Sequence, residues 1–115
     1  MRNHVLLGLI VAGFLATAVG FAQEAPKNLK ILPKTMSKAD IKKLMKVQAA
    51  ALGVQCDFCH DTDDFAKDTE HKELARKMML MTNQINKDNF EGKAVVGCIT
   101  CHNGQKEPKT LLKKP

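Results

Sequence analysis

Apolar side chains recur with a recognisable period in three stretches of this chain, and polar, irregular segments separate them. The first stretch, Val5 to Val19, is almost wholly apolar, follows the single basic residue Arg2, and ends near the small residues Gly20 and Ala22. A basic start, a short apolar core and a small-residue end predict an export signal over residues 1–22, cut before Gln23. Gly8, Gly13 and Thr17 interrupt the core, which favours cleavage over retention as an anchor nearly long enough to span a bilayer. Residues 23–36, with Pro26 and Pro33, read as an extended lead-in. Ser37, with Asp40 three residues on, then offers a helix N-cap. Ile41, Leu44, Met45, Gln48, Ala49 and Leu52 follow at helical spacing, and Gly53 supplies the stop. A second helix begins after Asp68 or Thr69, with Glu70 and Glu73 in its first turn where the helix dipole favours them. Its apolar face carries His71, Leu74, Met78, Met81 and Ile85, and the pattern fades near Asn86 to Asn89. No run shows strand alternation, so the predicted class is all-α, with one domain over 37–105 and a loose lysine-rich tail over 106–115.

Composition sharpens this picture. Removal of residues 1–22 from the 115 leaves 93, near the size at which a hydrophobic core alone is marginal. That part has no Trp or Tyr, and its aromatic residues are Phe58, Phe65 and Phe90. Something other than large side chains is expected to fill the core. The chain has 18 basic side chains, one of which is Arg2, so 17 remain against 12 acidic ones. They are segregated. Lys27, Lys30, Lys34, Lys38, Lys42, Lys43 and Lys46 meet only Asp40 in their stretch, and Asp57, Asp61, Asp63, Asp64, Asp68, Glu70 and Glu73 crowd the next. An exported chain without interleaved aromatics is a poor candidate for nucleic-acid binding. The lysines read first as a solvated face, and second as a docking face for an acidic redox partner, soluble or membrane-bound.

The candidate chemistry lies in two short motifs, Cys56-Asp57-Phe58-Cys59-His60 and Cys98-Ile99-Thr100-Cys101-His102. Cys-x-x-Cys-His is the haem c attachment pattern. Two intervening residues let both thiols reach the two vinyl groups of one haem from a single helical turn. The following His then falls under the iron as proximal ligand. Two covalently bound haem c groups are therefore expected, on Cys56, Cys59 and His60 and on Cys98, Cys101 and His102. A four-cysteine zinc site and a pair of disulfides are the competing readings. Both leave it to coincidence that two of the three histidines after the signal directly follow the second Cys of a pair. A methionine as sixth ligand suits an electron carrier, since its thioether favours Fe(II). Five methionines follow the signal, namely Met36, Met45, Met78, Met79 and Met81, and some of them must be core filler.

The chain also resembles the cytochrome subunit of bacterial photosynthetic reaction centres. The resemblance lies in Leu44-Met45, in Leu52 to Phe65 around the first motif, and in Arg76 to Asn86 with Met81 four residues before Ile85-Asn86. It continues into Cys98 to Gly104 and covers roughly residues 40–105. That family is built from helix–turn–haem units, each of which offers a Met from the helix before its motif. The resemblance therefore implies Met45 and Met81 as the sixth ligands of the first and second haems. It also implies a small all-α dihaem cytochrome c, two helix–turn–Cys-x-x-Cys-His units joined by long loops, with the haems forming much of the core. The family's four haems against two motifs make this chain look like half of that architecture. No cysteine closely follows the apolar run, so a lipid anchor is not expected. The expected role is a periplasmic one-electron carrier between redox partner proteins, with no substrate and no enzymatic activity. A small haem enzyme or sensor is the alternative, with His71 as its distal candidate.

Overall fold

The structure, a computed structural model, describes residues 24–108. The expected export signal and the end of the tail lie outside the described residues. Among those residues the regular elements are helical, as the periodicity predicts. In chain order they are α1 (Lys38–Leu52), a 3-10 turn (Cys56–Phe58), α2 (Glu70–Asn89) and α3 (Cys98–His102). None of the described helices is long and apolar enough to cross a membrane.

Each helix end has a local cause. The Ser37 hydroxyl accepts the Asp40 N–H at 3.1 Å and donates to the Asp40 carboxylate at 2.7 Å, which satisfies an orphan donor of α1. At its other end Gly53 adopts φ 65°, and its N–H turns back to the Ala49 and Ala50 carbonyls. Of the two caps the pattern offered to α2, Thr69 is the one used. Its Oγ1 accepts the Lys72 N–H at 3.2 Å and donates to the Cys59 carbonyl, so the start of α2 is tied to the first motif.

The lead-in is held on α2 by charge. Lys30 bridges Asp68 and Glu73, each at 2.8 Å, and Arg76 reaches Asp68 at 2.7 Å, Glu73, and the Asn28 carbonyl at 3.0 Å. Lys30 and Arg76 beside Asp68 hold its carboxyl well below the usual carboxylate range. Part of the charge segregated along the sequence therefore meets in space. Arg76 is buried in this network.

α3 packs on α1 and touches α2. Backbone ties the end of α1 to the residues just after α3. The Gly104 N–H donates to the Ala51 carbonyl at 2.8 Å, and a Cβ on Gly53 would lie 2.1 Å from the Gly104 oxygen. Among the described residues Ala51 is the one buried apolar side chain. The α2 face bearing Leu74, Met78 and Met81 is 38–50% exposed.

Candidate functional site

The first motif winds through its 3-10 turn so that the N–H groups of Cys59 and His60 both return to the Cys56 carbonyl, at 3.3 and 3.0 Å. Both thiols and the imidazole therefore issue from one turn. The second motif is α3 itself, entered through Gly97, whose N–H donates to Thr100 Oγ1 at 3.1 Å. All four cysteines are unpaired. Among the described residues no three His, Cys, Asp or Glu side chains converge as a metal site, so the cysteines do not meet in the four-sulfur arrangement of a zinc ribbon.

The two histidines share a restraint that no local pattern announces. His60 Nδ1 lies 3.2 Å from the Phe65 carbonyl, and His102 Nδ1 lies 3.0 Å from the Gln105 carbonyl. A carbonyl only accepts, so each Nδ1 carries the proton, and each Nε2 keeps its lone pair for a metal. Burial pushes the His60 pKa below its ordinary value, which favours the neutral ring that a metal requires. The same burial pushes the Cys59 thiol up.

These features suit haem c. Thiols two residues apart on one turn, a neutral imidazole with free Nε2, and the exposed apolar face of α2 are the donors and the wall that a porphyrin needs. The residues present fit the group.

Residues 14–114 match the family described as photosynthetic reaction centre cytochrome C subunit. The chain belongs to this reaction-centre cytochrome family. It is similar to cytochrome c-554 of Chloroflexus aurantiacus, with 36% identity over 76 residues, 59% of this chain and 18% of that protein. It is also similar to the photosynthetic reaction center cytochrome c subunit of Rubrivivax gelatinosus, with 36% identity over 59 residues, 49% of this chain and 16% of that one. The chain thus spans less than a fifth of either relative. No solved structure matches.

Within this reaction-centre cytochrome relative, Met45 is half-buried on α1 and Met81 is 47% exposed on α2. His71 stacks on Phe58 of the first motif with ring centroids 4.1 Å apart. Lys106, expected in a loose tail, lies 5.3 Å from the centre of the same ring. Asn86 is buried, accepts the Val95 and Val96 N–H groups at 3.2 and 2.8 Å, and donates to the Val96 carbonyl at 2.8 Å. It thereby aims the approach to Cys98. In the sequence pattern Asn86 marks only the point where the helix fades, and no periodicity announces its role. The order Ile85-Asn86 within the family resemblance was the available signal.

Proposed function

We propose that this chain is an exported dihaem c-type cytochrome that carries single electrons between redox partner proteins in the periplasm. The observation that carries the reading is the matched pair of motif histidines, each with Nδ1 on a backbone carbonyl and Nε2 free. Haem, when bound, supplies a reversible Fe(III)/Fe(II) couple. Cys56 and Cys59, and Cys98 and Cys101, anchor the two groups through thioethers. His60 and His102 would present Nε2 to the irons, while the carbonyls of Phe65 and Gln105 fix the orientation of each ring. Met45 and Met81 would supply the sixth ligands, which would exclude oxygen and peroxide and suit a carrier rather than an enzyme. The stacking of His71 on Phe58 supports the same choice, since it engages the side chain that a distal acid or base would need free. The mature protein should carry two haems that survive denaturation and acid–acetone extraction, read by mass. A colourless, zinc-containing or haem-free protein would end this reading.

Met81, rather than Met78 or His71, is assigned to the second iron. His71 lies ten residues before Met81, about 15 Å along the axis at 1.5 Å per residue, and its ring is against the first motif. Met81→Ala should halve the weak far-red band of Met–Fe(III) ligation and open one iron to carbon monoxide. Met78→Ala and His71→Ala should change neither signal, and carbon monoxide binding in His71→Ala would overturn the assignment.

The lysine face is read as a docking surface for an acidic partner. Lys27 and Lys30 are taken up by Glu24, Asp68 and Glu73, which leaves Lys34, Lys38, Lys42, Lys43 and Lys46 around α1 to steer it. Electron transfer to an acidic partner should slow steeply as salt shortens the Debye length from about 10 Å at 0.1 M to about 3 Å at 1 M. A rate indifferent to salt returns these lysines to an ordinary solvated face.

A further inference from the structure

The two motif histidines are held alike but not equally. The carbonyl that accepts from His60 is shared. Lys72, on the first turn of α2 with a side chain only 12% exposed, donates from Nζ to the carbonyls of Phe65, Ala66 and Lys67, each at 2.9 Å. An ammonium has three N–H donors, and here all three meet oxygens that can only accept. A neutral amine has two, so the three carbonyls favour the charged form and oppose the burial that pushes the Lys72 ammonium below its ordinary range. The nearest carboxylate, Asp68, lies 4.0 Å from Nζ and already receives Asn28, Lys30 and Arg76. The Lys72 charge is therefore directed into the Phe65–Lys67 loop. Among the described residues no Lys or Arg side chain donates to the Gln105 carbonyl, and the neighbouring Lys106 lies over the Phe58 ring.

We propose that Lys72 is a positioning residue that raises the reduction potential of the first haem by sharing the Phe65 carbonyl with His60. The proposal rests on the dihaem reading above. The physical chain is short. A carbonyl that already accepts from a cation has less electron density to offer a second donor, so it draws less on the His60 Nδ1–H. The imidazole then has less imidazolate character and donates less strongly through Nε2, which disfavours Fe(III). The fixed positive charge in a partly buried site acts in the same direction, because reduction by one electron lowers the charge at the iron by one. The electron comes from a one-electron redox protein, no proton moves and no bond is broken. The Nδ1–carbonyl distances agree with this order, at 3.2 Å for His60 and 3.0 Å for His102. The device gives two similar ligand sets different potentials and so lends the pair a direction.

The test uses the full holoprotein, with each haem's potential measured by redox titration. Lys72→Met should shift the oxidised-to-reduced ratio at the first haem about tenfold toward the oxidised form, about 59 mV for a one-electron couple. The second haem should not move, and Lys72→Arg, which keeps the charge, should restore most of the shift. The far-red Met–Fe(III) band should persist in all variants, which separates tuning from a lost ligand. A merely structural clamp would leave the first potential in place or move both together, and either result overturns the proposal. Should Lys72→Met fail to mature, the unmodified protein still decides. The Nδ1–H proton of His60 should exchange with solvent faster than that of His102, and the reverse order sinks the idea. Loss of the dihaem reading itself would show earlier and separately, as missing covalent haem mass in the unmodified protein.

Discussion

Gly53→Ala should destabilise the protein by about 2 to 5 kcal/mol, the sum of a left-handed backbone cost and an overpacking cost. Gly53 stands at φ 65°, and its added Cβ would meet the Gly104 carbonyl oxygen at 2.1 Å. The obstacle is backbone, so no flexible side chain can swing aside. Relief requires α1 and the loop after the second motif to separate, which breaks the Gly104–Ala51 hydrogen bond and loosens α3 from α1. For a domain this small, that loss is a large fraction of total stability. Gly97→Ala is the control. Gly97 is extended at φ −141° with nothing within 4 Å of a new Cβ, so its substitution should cost no more than about 0.5 kcal/mol. Denaturant unfolding of the two variants beside the parent checks the pair, and equal stability would refute the close contact.

Loss of the proposed second haem should have a still broader effect. Cys98→Ser with Cys101→Ser is expected to leave one covalent haem and a C-terminal half without stable structure. α3 is five residues long, far short of the roughly 12 an isolated helix needs. Only Ala51 is buried among the apolar side chains of the described residues, so side chains alone supply little core. Without the thioethers, α3 is left with its contacts to α1 and α2, the Gly104–Ala51 hydrogen bond just after it, and the approach held by Asn86. Hydrogen exchange should show amides from residue 90 onward losing protection while α1 retains part of its own. A variant with one haem and an intact, protected α3 would contradict the view that the cofactor forms core.

Much of the fold was legible because its causes are local. Ser37 and Gly53 bound α1 through interactions within a few residues, and the face of α2 follows from spacing alone. The choice of Thr69 over Asp68 as cap was open in the sequence. It is decided by partners brought from elsewhere, since Asp68 is taken by Lys30 and Arg76 while Thr69 reaches the Cys59 carbonyl. The two helix–turn–motif units also differ at the glycine before each motif. Gly53 ends a helix in a left-handed cap pressed on another backbone, whereas Gly97 is the extended residue that opens α3. One letter serves two different mechanical ends.

The sequence by itself determined the all-α class, the boundaries of α1 and α2 to within a few residues, the two Cys-x-x-Cys-His motifs and the family. Each follows from spacing within one turn or one helix, where covalent geometry leaves few alternatives. The tertiary structure alone decided what surrounds those motifs. The carbonyls on His60 and His102, the Lys72 ammonium on one of them, the buried Asn86 and the Gly53–Gly104 contact are in part backbone interactions, and backbone looks the same at every residue. Their positions depend on how loops close and helices approach, which residue identity at a single site does not encode.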